Sequence, residues 1–275
     1  MGAIDINPIV FLYFLILLVP VFILNRYFGI RKNVKLAIAI GRMAVQMVLV
    51  GLFLQYLFDL NNAWVNIGYV LVMMCVASFS AMRSCKVRIR RSFFALLIGF
   101  AVPNFIVMLF FNYLLLNLPD IFDARYIIAV QGMLLGNSLN SVVLGYNQFY
   151  TSIQDDQKRY FQMLSLSCSR RETLKGYYKN ALLVTLNPQI ATIETLGLVT
   201  LPGMMTGQIL GGTQPIIAIK YQIAIMLAIL AVRYFSVLAS LWLSSLRAFD
   251  EYDVLTLERR AKRNGAKGFL QKLRG

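Results

Sequence analysis

Histidine is absent from this 275-residue sequence, which removes the commonest general base and metal ligand of proteins. Three cysteines are present, Cys75, Cys85 and Cys168, and their odd number and wide spacing suit neither a disulfide framework nor a paired metal site. Charge is also scarce, because charged residues form 14% of the chain against roughly 25% in soluble domains. These deficits argue against a soluble globular domain and against histidine-based catalysis.

Motifs for nucleotide binding and hydrolysis are missing as well. The sequence has no GxxxxGK[ST] phosphate loop, so we expect this chain not to bind ATP in the P-loop manner. HExxH, CxxC and GxSxG are also absent, and we find no set of residues that would make an activated nucleophile or a metal centre. We therefore predict that the chain is not an enzyme and binds no cofactor itself.

Long apolar segments dominate what is present, with 59% hydrophobic residues and a mean hydropathy of +0.66. Backbone N–H and C=O groups in lipid must be satisfied within the segment, so each apolar run of about 20 residues is predicted to be a helix. The runs occupy residues 9–24, 36–58, 64–82, 92–116, 126–147, 181–201 and 216–243. We predict an all-α, polytopic membrane protein of about seven spans, with a permease domain at 1–246 and a basic tail at 247–275.

Arginine and lysine concentrate in alternate connectors. Most of the 27 basic residues lie in the first, third and fifth connectors and in the tail, whereas Asp59, Asp120 and Asp123 lie in the others. The positive-inside rule then predicts an N-terminus outside the cell and a C-terminus in the cytoplasm. We predict that the membrane is the plasma membrane, which is the inner membrane if the source is bacterial. Because the basic runs are short and abut spans, they favour contact with membrane lipid and argue against nucleic acid.

One long polar segment, residues 148–180, interrupts the apolar pattern. Apolar residues recur in it at helical spacing and predict an amphipathic surface helix: Ile153, Tyr160, Phe161 and Leu164. Residues 166–169 break this pattern. Ser169 and Glu172 then match a capping box, which predicts a second helix that begins at Arg170 and continues into the sixth span.

A two-helix loop on the cytoplasmic side is typical of a surface that docks another protein. We predict that it receives a soluble motor subunit. The alternative is an amphipathic helix that lies on lipid without a protein partner. The residues predicted to couple to the motor are Ser167, Cys168, Ser169, Arg170, Arg171, Glu172 and Lys175.

Polar residues form a stripe in the fifth span, at one face of the predicted helix: Met133, Asn137, Asn140 and Ser141. The two asparagines lie roughly 18–22 Å from Arg125, near the middle of the hydrocarbon layer. The stripe either lines a translocation path or supplies hydrogen bonds between helices. Gly132 and Gly136 predict a close approach of two helices at this level.

Two charges also lie deep in predicted spans. Glu194 and Arg233 each lie about 14 residues, or roughly 21 Å, from the cytoplasmic end of their span. We predict that they form an intramembrane ion pair, because an unpaired charge at this depth costs about 2.5–3.5 kcal/mol. A direct role of Glu194 in the translocation path is the alternative.

The connector between the last two spans, LPGMMTGQILGGTQP, is both apolar and rich in residues that break helices. A re-entrant or interfacial turn on the outer side would have this composition. We predict an outer gate at Pro202, Met204, Met205 and Gln208. Two methionine thioethers suit copper(I) more than hard cations, but alone they leave the identity of any metal unknown.

Three segments resemble the FetB-type ABC transporter permeases: GMLLGNSLNS at 132–141, RRET at 170–173 and GLVTLPGMMTGQILGG at 197–212. That family includes bacterial iron-export permeases and plant half-transporters linked to aluminium tolerance. The resemblance implies a separate cytoplasmic ABC ATPase that binds ATP and Mg²⁺, a homodimer of permeases in a 2+2 complex, and docking of the ATPase on 148–180. Iron is linked to one branch, and other metals or nucleotide sugars to others.

The sequence leaves three functions to consider. The first is an ABC permease, an exporter of metal ions such as iron. The second is a secondary transporter or channel that works without ATP and uses Glu194 as its titrating group. A scaffold without transport activity is a third, which the polar stripe and the broken outer connector disfavour.

Overall fold

The structure is a computed structural model that describes residues 13, 15–85, 93–115, 122–167, 169–250 and 253–255. Cys168 and most of the tail, 256–275, lie outside the described residues. The described helices are α1 (Val19–Tyr27), α2 (Asn33–Leu60), α3 (Ala63–Ser84), α4 (Phe93–Phe110), α5 (Ala124–Asp155), α6 (Gln157–Ser167), α7 (Arg170–Thr195), α8 (Gly203–Leu210) and α9 (Pro215–Ala248). A 3-10 turn, Leu15–Leu18, precedes α1, and a π turn, Phe111–Leu115, follows α4.

The all-α, polytopic membrane fold is confirmed. In the described part, α2, α3, α4 with the start of its π turn, α5 and α9 are long and apolar enough to cross a membrane. The first predicted span is represented by the shorter Leu15–Tyr27. The sixth falls within α7, whose 26 residues would reach about 39 Å but include charged and amide side chains along its length. These two therefore lack the length or the apolar character of the other five.

Hydrogen bonds bring the second and fourth connectors together at one end of the bundle. Asn66 Nδ2 donates to the Phe122 carbonyl at 2.9 Å, and the Ala124 amide donates to Asn61 Oδ1 at 3.0 Å. At the other end Asp253, which follows α9, contacts α6 and the start of α7. This arrangement agrees with the alternation of basic and acidic connectors in the sequence.

The core forms where α9 packs against α4 and α5, and close contacts require glycine at two positions. A Cβ atom on Gly99 would lie 2.6 Å from Ser240 Cα, so α4 and α9 meet backbone to backbone. A Cβ on Gly145 would lie 2.8 Å from Val237 Cγ1 and 3.2 Å from Thr185 Cγ2, which brings α5, α7 and α9 together. The predicted close approach at Gly132 and Gly136 was wrong at Gly136, where nothing lies within 4 Å of a Cβ; a Cβ on Gly132 would lie 3.5 Å from Met73 Cε of α3, an ordinary van der Waals contact.

Candidate functional site

The predicted loop at 148–180 is helical along almost its whole described length. Its first eight residues belong to α5, which ends at Asp155, so the surface helix is the shorter α6. Ile153 and Tyr160 are buried, whereas Phe161 is exposed, so the apolar face packs into the protein only in part. The start of a new helix at Arg170, which continues as the sixth predicted span, is confirmed.

Ser169 occupies the N-cap position of α7, with φ −140° and ψ 121°. Its side chain makes no capping hydrogen bond, so the serine half of the predicted capping box was right in position and wrong in its contact. The Ser169 carbonyl instead accepts hydrogen bonds from Thr173, from its amide at 3.2 Å and from its hydroxyl at 3.1 Å. Thr173 thus supports the first turn, a role that the sequence did not indicate.

Described residues 249–250 and 253–255, after α9, pair with each other, and we call these residues the strap. Phe249 and Leu255 form an antiparallel bridge, and the Asp250 amide donates to the Val254 carbonyl at 3.1 Å. Asp250 Oδ1 also accepts from the Val254 amide at 2.7 Å. Asp253 has φ 57°, a left-handed conformation that Asp tolerates better than most residues. The two described parts of the strap are therefore held together immediately after α9.

The strap contacts the junction of α6 and α7. Arg170 Nη1 forms an ion pair with Asp253 Oδ1 at 3.0 Å, and the Tyr160 hydroxyl donates to the Asp253 carbonyl at 3.0 Å. Phe249 stacks on the Tyr160 ring with centroids 6.0 Å apart, and the Arg170 guanidinium lies 5.7 Å from the Phe249 centroid. Burial, and then the charge of Asp253, raise the pKa of Tyr160 to about 12, so this hydroxyl stays a donor at neutral pH.

The predicted coupling residues divide into two groups at this junction. Arg171, Glu172 and Lys175 are exposed on the first turns of α7 and available for contact with another protein. Arg170 is half-buried and directed to the strap. The side chains of Ser167 and Cys168 lie outside what the structure describes.

A polar cleft of about 480 Å³ opens beside the junction, between the end of α5 and the first turns of α6 and α7. Its lining residues come from three helices, so no local sequence pattern groups them. They include Gln148, Ser152, Asp155, Asp156, Arg159 and Tyr177. The cleft offers a second polar surface at the end of the bundle where we predict the cytoplasm.

The stripe predicted in the fifth span lies on α5 and is only partly enclosed. Ser141 is buried, Met133 and Asn137 are half-buried and Asn140 is exposed. Asn137 Nδ2 donates to the Met133 carbonyl at 2.9 Å, one turn back on the same helix, so this bond does not join two helices. The role of the stripe as a translocation path stays a prediction.

A buried polar cluster nearby was missed by the sequence reasoning. Asn104 of α4 donates to Ser236 Oγ of α9 at 3.1 Å and accepts from Ser138 Oγ of α5, also at 3.1 Å. All three side chains are completely buried. The asparagine in the otherwise apolar run AVPNF is the signal that could have identified it. The cluster fixes the relative positions of three spans.

Arg233 has different partners from the one predicted. Its guanidinium donates to Ser141 of α5 and to Gln189 of α7, both neutral, and within the described chain it makes no ion pair with Glu194. Five residues of helix separate Gln189 from Glu194, which places Glu194 about 140° further round the α7 axis, on an exposed face. The predicted ion pair was therefore wrong, because equal depth does not imply a shared face.

The predicted outer gate forms a short helix rather than an irregular turn. Pro202 is the N-cap of α8, and its carbonyl accepts from Thr206 Oγ1 at 2.7 Å. Met204, Met205 and Gln208 are half-buried, and α8 packs against α9. Gly212, with φ 94°, makes the turn that follows. The role of this segment as an outer gate stays a prediction.

Carboxylates and thiols are too dispersed to suggest a metal centre. Across the described ranges, no group of three or more His, Cys, Asp or Glu side chains could hold a metal ion. Apolar spans, buried polar clusters within them and an ordered polar junction at one end define a multi-pass α-helical membrane protein.

The chain belongs to the family described as Uncharacterised protein family (UPF0014), which it matches over residues 8–249. Relatives include the probable iron export permease protein FetB of Escherichia coli, 27% identical over 82% of this chain and 85% of that protein. Protein ALUMINUM SENSITIVE 3 of Arabidopsis thaliana is 31% identical over 68% and 67% of the two chains.

A third relative, the UPF0014 membrane protein slr1647 of Synechocystis, is 29% identical over 77% of this chain and 82% of its own length. These similarities confirm the resemblance to FetB-type permeases that three motifs suggested, and they indicate a membrane transport permease. No solved structure matches the chain.

Proposed function

We propose that this protein is the permease subunit of an ATP-driven ABC transporter in the plasma membrane. A separate cytoplasmic ATPase binds ATP and Mg²⁺ and docks on the segment 148–180. ATP hydrolysis belongs to that partner, since this chain has no phosphate loop. The cargo is a metal ion such as iron, which is exported. The name of the FetB relative, probable iron export permease, supports this choice of cargo and direction.

The junction of α6 and α7 with the strap is the observation that carries the proposal. The exposed coupling residues Arg171 and Glu172 follow Arg170, which is bound to the strap. A force on this junction reaches α7 through the continuous helix, and reaches α9 through the strap. Because α7 and α9 also carry Gln189 and Arg233, movement of the junction would be transmitted to mid-membrane polar groups.

A homodimer of permeases accounts for polar groups that a single chain leaves exposed in the membrane. Asn140, Asn187 and Glu194 are exposed at membrane depth. A charge facing lipid near the bilayer centre costs about 2.5–3.5 kcal/mol on insertion scales. We propose that this face lines a water-filled path completed by a second copy, in a complex of two permeases and two ATPases.

Docking can be tested by substitution of two exposed residues. We expect Arg171→Ala with Glu172→Ala to abolish binding of the ATPase and stimulation of its activity in proteoliposomes, with the permease still folded. Lys220→Ala, an exposed substitution at the other end of the bundle, is the matched control and should change neither. Normal ATPase stimulation by the double variant would refute docking at this junction.

A transporter that works without ATP is the second candidate. The exposure of Glu194 at membrane depth favours it, because ionisable residues within spans mark ion pathways and proton relays. Purified protein in vesicles without an ATPase separates the two functions. Iron transport driven by a proton gradient alone, and lost in Glu194→Gln, would support this candidate against the ABC permease.

A further inference from the structure

Arg233 is a cation at membrane depth whose described partners are both neutral. Its two hydrogen bonds, to Ser141 and Gln189, use two of the five N–H donors of a guanidinium. Neither partner compensates the positive charge, and no carboxylate of the described chain forms an ion pair with it. A charge in this position is costly unless an anion accompanies it.

Gln189 adds a second unused donor at the same place. Its side chain is 3% exposed, and its Nε2 has no hydrogen-bond partner among the described residues. Arginine can only donate, so the bond from Arg233 identifies Oε1 as the acceptor atom of the amide and leaves Nε2 as a donor. A buried donor without an acceptor is unfavourable, so this N–H also requires an acceptor.

The two requirements point to one chemical group. The remaining guanidinium N–H groups and Gln189 Nε2 are donors only. They belong to two side chains that are hydrogen-bonded to each other. An oxyanion supplies several acceptor oxygens and a compensating charge, and arginine binds carboxylate and phosphate in a matching planar geometry. A bare metal cation would meet a positive charge here and no carboxylate ligand.

We propose that Arg233 and Gln189 bind a carboxylate or phosphate group of the transported molecule. This inference rests on the proposed transport function and specifies its cargo as a negatively charged species. A metal would then be carried as an anionic chelate rather than as a free ion. The absence of a three-ligand metal cluster from the described residues agrees with this form of cargo.

The binding experiment uses the full chain in nanodiscs of phosphatidylcholine, without ATP or ATPase. Citrate and inorganic phosphate are titrated separately by calorimetry, so that the two arms distinguish a carboxylate from a phosphate ligand. We expect saturable binding of at least one anion, weakened at least about tenfold in Arg233→Gln. Arg42→Gln, which removes an arginine from the exposed helix α2, is the matched control and should bind as the native chain does.

A second variant distinguishes an anion site from a purely structural contact between α7 and α9. Gln189→Glu places a carboxylate beside the guanidinium, which then occupies the site from within the chain. We expect anion binding to fall at least about tenfold while the thermal stability holds or rises. Arg233→Lys keeps the charge but loses the planar donor geometry, so we expect measurable anion binding that is weaker than that of the native chain. This comparison with the native chain provides a test if Arg233→Gln does not fold.

The proposal is overturned if the native chain binds neither anion saturably, or if Arg233→Gln and Gln189→Glu bind as tightly as the native chain. Because the measurement contains no ATPase, its failure is distinguishable from failure of the proposed function. Loss of docking with anion binding retained would refute the ABC permease alone.

Discussion

The two halves of α7 differ sharply in how the rest of the protein holds them. In the first half, Thr173, Leu174 and Ala181 are buried, and Tyr178 donates to Ser245 Oγ of α9 at 2.7 Å. In the second half every residue from Ile190 to Thr195 is exposed. One helix thus has a fixed end at the predicted motor surface and an end without close packing at membrane depth. Motion of α7 would therefore be largest in its second half.

Pro188 lies between these halves. A proline inside a helix removes a backbone hydrogen bond and favours a bend, although α7 continues through it without interruption. The Pro188 carbonyl accepts from Thr192 Oγ1 at 2.8 Å in the exposed half. This position is where we expect the fixed half and the exposed half to move relative to each other.

Truncation of one apolar residue in each half gives the largest contrast. Leu174, 3% exposed, packs in the core, and Leu174→Ala should lower the free energy of unfolding by about 2–5 kcal/mol. Ile190 is 46% exposed, so Ile190→Ala should lower the free energy of unfolding by less than about 0.5 kcal/mol. Thermal unfolding in detergent measures both. Equal losses would show that the exposed half is packed in the functional assembly.

Substitution of Gly145 should give the next largest loss of stability. Gly145 of α5 lies close to both Thr185 of α7 and Val237 of α9, so a larger side chain would separate these helices. We expect Gly145→Leu to destabilise the protein by about 1–3 kcal/mol, since a Cβ there would already lie 2.8 Å from Val237 Cγ1. Gly136→Leu on the same helix is the matched control, because a Cβ there meets nothing within 4 Å. If both variants unfold at the same temperature, the packing of the fixed half is looser than described.

Removal of one hydroxyl tests the polar contact in the fixed half. Tyr178→Phe breaks the bond to Ser245 and should cost about 0.5–1.5 kcal/mol. The control Tyr56→Phe removes the hydroxyl of a tyrosine that is 62% exposed and should leave the unfolding temperature unchanged. A Tyr178→Phe variant as stable as the native chain would contradict a role for this bond in fixing α7.

A substitution in the strap should change the global free energy of unfolding least, and it should clearly increase local opening of the junction. Asp253→Asn removes the charge opposite Arg170 and leaves the backbone carbonyl that Tyr160 binds; a partly exposed ion pair of this kind contributes about 0–1 kcal/mol. Local opening of the junction should nevertheless increase, seen as faster trypsin cleavage after Arg170 and Arg171. The exposed Asp59→Asn is the control, and unchanged cleavage would show that the ion pair does not hold the junction.

Local features were predictable from the sequence, and spatial relations between helices were not. The new helix at Arg170 follows from short-range capping and periodicity, and the structure has it. The predicted break at 166–169 starts too early, because α6 continues to Ser167. The strap is a contact between residues more than 80 positions apart, such as Tyr160 and Asp253, and no local pattern encodes it. Counting residues gave Glu194 and Arg233 similar depths, but the face of each helix depends on packing, so their pairing was wrong.

Backbone contact between α4 and α9 at Gly99 and Ser240 limits which rearrangements the protein can undergo. No side chain lies between the helices there, and a Cβ on Gly99 would lie 2.6 Å from Ser240 Cα, so sliding one helix along the other would bring a side chain into this contact. We therefore expect the two helices to move together. In the proposed transport cycle, the change of access would then come from rotation of other elements about this pair, with α7 the best placed to rotate.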